Sequence, residues 1–180
     1  LFCAGHITLA DGRLLVAGGH IEAYEGTKDT NIFNPQTDQW VRGQDMAVAR
    51  WYPTATALPD GRVFVVSGDN ITLGPNPDPN TPVPLINYSD TLPEIYNPST
   101  DSWTDIPAAG RKMPLYPFMF VLPNGKLFDA GPDKVTRTLD LTTHQWTTVG
   151  TSPVDGQSAV MYQPGKILKA GTWSDPEFPD

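Results

Sequence analysis

The chain has 180 residues, of which 39% are hydrophobic and 18% are charged, a balance typical of a globular protein and not of a disordered segment. Its net charge of −8 argues against nucleic acid as a partner, because phosphates require a basic surface. No hydrophobic run in the sequence is long enough to cross a membrane. The first residues do not look like a natural start, so the lack of a signal peptide is uninformative about targeting.

The predicted elements are short strands separated by tight turns. The first is the turn and strand at 11–19, which reads Asp-Gly-Arg-Leu-Leu-Val-Ala-Gly-Gly, and closely similar phrases return at 60–68, 124–131 and 164–171. The Gly at the second position of each phrase supplies the positive φ that a two-residue hairpin turn requires. The 19 prolines and 16 glycines also favour turns over long helices.

A second phrase follows each of the first three turns. It reads Asn-Pro-Gln-Thr-Asp-Gln-Trp at 34–40, is closely matched at 97–103, and has a weaker copy at 140–146. It predicts another hairpin turn that ends on a Trp able to pack between layers.

These repeats define a unit of four strands, and the first turns are spaced 49, 64 and 40 residues apart. Such units resemble kelch repeats, so we predict an all-β, kelch-type β-propeller fragment. It has three four-stranded blades and the start of a fourth, with approximate bounds 3–48, 49–110, 111–153 and 154–180. An ordinary β-sandwich would not repeat its turns in this way. We expect the remaining blades to come from sequence outside this chain.

The repeat places three reactive side chains in one position, at the start of the first strand of a unit. Cys3 and Tyr52 are 49 residues apart, as are the first two turns, and Tyr52 and Tyr116 are 64 apart, as are the next two. The first strands of propeller blades line the central axis, so we expect the thiol and the phenol to be neighbours. The loops at 20–30 and 69–93 share their face, and loops on one face of a rigid scaffold commonly build a site. The second loop is long and rich in proline. The alternative to a role in the site is that this loop is an insertion without function.

The residues at these positions resemble the copper radical oxidases, the family of galactose oxidase and glyoxal oxidase. The motifs are Phe-Cys-Ala-Gly-His at 2–6, Ala-Arg-Trp-Tyr-Pro at 49–53, and Ser-Ala-Val-Met-Tyr at 158–162. The resemblance implies a thioether between Cys3 and Tyr52, with Tyr52 holding a radical and binding copper through its phenolate oxygen. It also implies a secreted enzyme that oxidises an alcohol or aldehyde with O2 and forms H2O2.

The resemblance leaves the copper site incomplete in this chain. The family's other ligands are a second Tyr next to a His and one more His, all on later blades, and this sequence contains no Tyr-His pair. His6, His20 and His144 do not match those positions. We expect His6 to be packed or hydrogen-bonded, His20 to be a candidate substrate contact, and His144 to lie at the surface. This segment alone should therefore be inactive.

Two departures bear on the substrate. Asn70 stands where galactose-oxidising members place a Trp over the cross-link, so it is a candidate neighbour of the cofactor, and Pro117 replaces the Arg that follows the third-blade Tyr. Both favour a glyoxal-oxidase-like preference for small aldehydes or other primary alcohols. The alternative is a non-catalytic kelch module that binds a protein or glycan through its loop face, with a free Cys3 and no metal. A pseudo-oxidase or truncated product that keeps only the Cys-Tyr register is a third interpretation.

Overall fold

The computed structural model describes residues 2–22, 25–69, 91–156 and 158–171. The chain divides into two compact units, Leu1–Tyr116 and Pro117–Asp180. Each unit is built from antiparallel sheets whose strands are paired in chain order, apart from a small hairpin inserted between two strands of the first sheet.

The first unit contains two four-stranded sheets and a small hairpin. The first sheet and its inserted hairpin comprise β1 (Gly5–Thr8), β2 (Leu14–Ala17), β3 (His20–Glu22), β4 (Glu25–Gly26), β5 (Thr30–Asn34) and β6 (Gln39–Arg42). The sheet order is β1-β2-β5-β6, and β3 pairs with β4 in the loop between the second and third strands of the sheet. The second sheet comprises β7 (Thr54–Ala57), β8 (Val63–Val66), β9 (Glu94–Asn97) and β10 (Ser102–Asp105). A single turn of 3₁₀ helix follows at Pro107–Ala109.

The second unit repeats this meander. Its strands are β11 (Met119–Val121), β12 (Leu127–Asp129), β13 (Val135–Asp140), β14 (Gln145–Thr151), β15 (Ser158–Gln163) and β16 (Lys166–Ala170). The first four form one sheet, and β15 pairs with β16 in a separate sheet. The predicted all-β class is therefore confirmed, whereas the blade bounds given above stay a prediction.

The turns have the backbone that the repeated phrases predict. The glycines of the four first turns all lie in the left-handed region, with φ values of 87°, 86°, 80° and 72° at Gly12, Gly61, Gly125 and Gly165. The corresponding residues of the three second turns are also left-handed, with φ values of 57°, 46° and 58° at Asp38, Asp101 and His144. The repeat is therefore a repeat of backbone conformation as well as of sequence.

The core of the first unit lies between its two sheets. The buried apolar side chains that form it come from both sheets and from the segments that flank them: Leu9, Leu15, Ala17, Ile32, Met46, Val63, Val65 and Tyr96. Trp103, which ends the second turn, closes this core by donating from its indole nitrogen to Thr30 Oγ1 at 3.1 Å and to the Gln44 carbonyl at 2.9 Å. Trp103 thus packs between layers as predicted, whereas Trp40, which ends the first copy of the phrase, is 50% exposed.

Candidate active site

Cys3, Tyr52 and Tyr116 are joined through their main chains. The Tyr52 amide donates to the Cys3 carbonyl at 2.8 Å, and the Tyr116 amide donates to the Tyr52 carbonyl at 3.0 Å. All three are left-handed, with φ values of 56°, 63° and 48°. This conformation costs a residue other than glycine about 1–2 kcal/mol, so its recurrence at one repeat position marks a backbone that the surrounding structure imposes. The predicted common register of the three residues is therefore present in the fold.

Tyr52 lies between two aromatic rings. Its ring centroid is 3.8 Å from that of Trp51 at an interplanar angle of 16°, and 4.7 Å from that of Tyr116 at 26°. We call these three rings the aromatic stack. Tyr52 is partly buried in it, and Cys3 is also partly buried and forms no disulfide.

His20 fixes the outer ring of the stack. The Trp51 indole nitrogen donates to His20 Nδ1 at 3.2 Å, which requires a neutral imidazole with its proton on Nε2. Trp51 is buried and its main chain forms a two-way bridge with Asp69, with both N···O distances at 2.8 Å. His20 therefore lies near the aromatic stack, on the face predicted for it. Its Nδ1 accepts a hydrogen bond from Trp51, whereas the prediction was a contact with substrate.

A buried ion pair anchors the segment that carries the stack. Arg50 and Glu94 are both fully buried, and Arg50 Nη2 lies 2.8 Å from Glu94 Oε2. The same guanidinium donates to the Ser67 carbonyl at 2.7 Å and to the Leu92 carbonyl, while Glu94 Oε1 accepts from the Ala47 amide at 2.7 Å. These bonds fix the backbone immediately before Trp51 and Tyr52 to β9 and to the end of β8.

The glycines after β2 and β8 allow this arginine to approach closely. A Cβ on Gly18 would lie 2.5 Å from the Arg50 carbonyl oxygen, and one on Gly68 would lie 2.8 Å from the Arg50 Cβ. The Gly19 amide also donates to the Arg50 carbonyl at 2.9 Å. Gly18 and Gly68 therefore leave the space that the Arg50 backbone and Cβ occupy.

Within the aromatic stack, the phenol of Tyr116 has a shifted pKa. Burial raises the pKa of its phenol to about 12, and the neighbouring Cys3 and Tyr52 add to the effect because each would carry a negative charge on ionisation. The side chain is nonetheless 38% exposed, so Tyr116 is the member of the stack that faces solvent. Its phenol stays protonated at neutral pH.

The remaining predicted site residues have different outcomes. His6 is exposed on β1, which contradicts the first of the two expectations for it, that it is packed or hydrogen-bonded. His144 lies in the turn before β14, as predicted, but is only partly exposed there. Asn70 and most of the loop at 69–93 lie outside the described residues. Within the described ranges, no group of three or more His, Cys, Asp or Glu side chains is placed to hold a metal ion.

Sequence reasoning missed the stacking of Trp51 on Tyr52 and the ion pair of Arg50. Both residues stand in the motif at 49–53, and the signal available was a bulky aromatic directly before the Tyr at a position that the repeat places near the axis. Within this motif, Arg50 anchors the backbone before Tyr52 and Trp51 stacks on the Tyr52 ring.

Comparison with known proteins places the chain in a family. A protein-family profile described as Kelch motif matches residues 7–47. The chain is 30% identical over 144 residues to a galactose oxidase of Gibberella zeae, an alignment that spans 73% of this chain and 18% of that protein. The chain belongs to the kelch-type family of the copper radical oxidases.

One further relative by sequence and one solved structure are also similar to this chain. A WSC domain-containing protein of Arthroderma benhamiae is 30% identical over 140 residues, or 72% of this chain and 14% of that protein. A solved fungal alcohol oxidase of the AA5 family, in complex with copper, superposes with a TM-score of 0.69 at 23% identity, over 95% of this chain and 35% of its own. The chain thus spans less than a fifth of the two relatives matched by sequence. Among the described residues, no helix has the length and apolar character needed to span a membrane.

Proposed function

We propose that the full-length protein is a copper radical oxidase that oxidises a primary alcohol or a small aldehyde with O2 and forms H2O2. In this proposal the present segment supplies the Cys3–Tyr52 thioether and one copper ligand, the Tyr52 phenolate. The observation that carries the proposal is the register of Cys3 and Tyr52, two residues of equal backbone conformation joined by a 2.8 Å hydrogen bond.

The donor chemistry of the site fits copper as one part of a ligand set. Cu(II) accepts oxygen and nitrogen ligands in tetragonal geometry, and a phenolate is such a donor. The other ligands would come from parts of the protein outside this chain. When bound, copper supplies one oxidising equivalent and the Tyr52 radical supplies the other, which matches the two electrons removed from an alcohol.

The residues of this chain have separate tasks in that chemistry. A sulfur substituent on the Tyr52 ring spreads an unpaired electron onto the thioether and makes the radical easier to keep. Trp51 covers one ring face and excludes water there, while the Arg50–Glu94 pair holds the segment in place. The protein in this way supplies position and electronics to its own cofactor.

One sequence position favours a substrate other than galactose. Pro117 follows Tyr116 directly, so the guanidinium that the family's galactose-oxidising members carry there is missing from that position. The structural neighbour is an alcohol oxidase, which supports a primary alcohol, and a small aldehyde remains within the same proposal. We also propose that the protein is secreted, by its family resemblance.

The test is the mass of the cross-linked peptides. The full-length protein is loaded with copper in air, denatured and digested, and the peptides that contain Cys3 and Tyr52 are weighed. Thioether formation breaks the S–H bond and one ring C–H bond, forms a C–S bond, and passes two electrons and two protons to O2. A joined pair two hydrogens lighter than its separate peptides is therefore expected, and Cys3→Ser and Tyr52→Phe should each abolish it. Two unmodified peptides would instead favour the non-catalytic kelch module.

A further inference from the structure

The turn between β11 and β12 differs from its repeat equivalents in one functional group. In three of the four first turns, the side-chain Oδ1 of the residue before the glycine accepts from the amide two residues on, at 3.1 Å each time. That residue is Asp11 in the first turn, Asp60 in the second and Asn124 in the third. We propose that Asn124 is a site of spontaneous deamidation and that the folded turn accepts the resulting aspartate. This site is independent of the radical role proposed for Tyr52.

The reaction joins the side chain of Asn124 to the main chain of the next residue. The Gly125 nitrogen forms a bond to Asn124 Cγ and gives up its proton, while the bond from Cγ to Nδ2 breaks and ammonia leaves with that proton. Water then opens the cyclic imide at Cγ, supplying a hydroxyl to Cγ and a proton to the Gly125 nitrogen. The new acid ionises and ammonia takes its proton, so an amide has become a carboxylate and nothing has been oxidised or reduced. Asparagine is among the residues that are chemically labile in proteins.

The turn presents both reacting groups to solvent. Asn124 and Gly125 are exposed, and a Cβ on Gly125 would meet no atom within 4 Å, so the space for ring closure is open. The Lys126 amide donates to Asn124 Oδ1, the oxygen on which negative charge develops when Cγ is attacked, and this donor therefore favours the reaction. The Gly125 amide donates to the Leu122 carbonyl at 2.9 Å. That bond has to open first, which costs little in an exposed turn.

Among the described residues, two other asparagines have the same side-chain conformation but lack the nucleophile. Asn34 Oδ1 accepts from the Gln36 amide at 2.9 Å, and Asn97 Oδ1 accepts from the Ser99 amide at 3.1 Å. Each of these asparagines is followed by a proline, whose nitrogen carries no proton to give up. Asn34 and Asn97 are therefore controls within the same molecule.

The product of the reaction is the residue that the first two turns already hold. In each of those turns the aspartate also pairs with the arginine two residues on, at an N···O distance of 2.7 Å. Lys126 stands where those arginines do, and its Nζ lies 3.2 Å from Asp140 Oδ2. A carboxylate at position 124 therefore gains a nearby cation, for which it competes with Asp140.

The experiment follows the three amides by peptide mass while the full-length protein is incubated in neutral buffer without copper. Exchange of NH2 for OH makes a peptide heavier. A synthetic peptide with the sequence of residues 121–128 is incubated beside the protein to show that the conditions allow the reaction. We expect a growing loss of the Asn124 amide and no loss at Asn34 or Asn97. Asn124→Gln, whose longer side chain would have to close a larger ring, should keep its amide.

The proposal is overturned if Asn124 keeps its amide while the synthetic peptide loses it. It is equally overturned if Asn34, Asn97 or the Gln variant loses its amide as fast as Asn124 does, because the cyclic route would then not be the one used. Asn124→Asp supplies the product directly and should have the parent's thermal midpoint. A lower midpoint for this variant would refute the statement that the folded turn accepts the aspartate.

Discussion

Replacing Glu94 by Gln should destabilise the protein by about 3–5 kcal/mol, the usual cost of breaking a buried ion pair from one side. Both side chains of the pair are 0% exposed, so the Arg50 guanidinium would keep its charge in a site that no water reaches. Gln has the same shape as Glu and keeps an acceptor oxygen for the Ala47 amide. The variant therefore isolates the loss of charge from the loss of packing.

The measurement is urea unfolding of the full-length protein followed by tryptophan fluorescence, with midpoints compared at a common m value. Asp60→Asn is the matched control, because it also turns a carboxylate into an amide next to an arginine. Its pair with Arg62 has side chains 51% and 44% exposed, and such pairs contribute at most about 1 kcal/mol. If Glu94→Gln shifted the midpoint no more than Asp60→Asn does, the assignment of Arg50 as a buried anchor would be refuted.

Two further predictions concern the glycine after β2 and the phenol of Tyr116. Gly18→Ala would place its Cβ 2.5 Å from a backbone oxygen at a φ of 71°, whereas Gly12→Ala at a φ of 87° meets no atom within 4 Å. Gly12→Ala should cost about 1–2 kcal/mol of strain and Gly18→Ala at least about 1–3 kcal/mol more, and equal thermal midpoints would contradict the close contact. Because burial raises the pKa of Tyr116 from 10.0 to about 12, the folded state binds the phenolic proton more tightly than the unfolded state does. Its contribution to stability is complete below pH 10 and is lost between pH 10 and about 12, so the parent should lose stability more steeply there than Tyr116→Phe, and equal slopes would count against the shift.

The sequence predicted the strand order and the shared position of Cys3, Tyr52 and Tyr116 because both follow from local turns. A hairpin turn is encoded by a few adjacent residues, such as Asp11 and Gly12, and its recurrence sets the register of everything between two copies. The left-handed φ values at all three positions show that this local information extends to the backbone of the site.

The contacts around Tyr52 could not be predicted from local sequence in the same way. Arg50 and Glu94 are separated by 44 residues, and His20 and Trp51 by 31, so their pairing depends on how the sheets pack. The apolar neighbours of Arg50 are a local sign of burial, but no local feature identifies Glu94 as its partner. The exposure of His6 was not predicted, because a place in a strand does not say which face of the sheet is covered.

The main-chain hydrogen bonds that run from Cys3 to Tyr52 to Tyr116 use no side-chain atom. The first three repeats therefore share one backbone arrangement at this position, and that arrangement does not depend on which side chain stands there. Exchanging the group at one point requires a single codon change and no change in the framework around it. A propeller of this kind can therefore change the side chain at one of these positions by point substitution while the hydrogen bonds between the positions are kept.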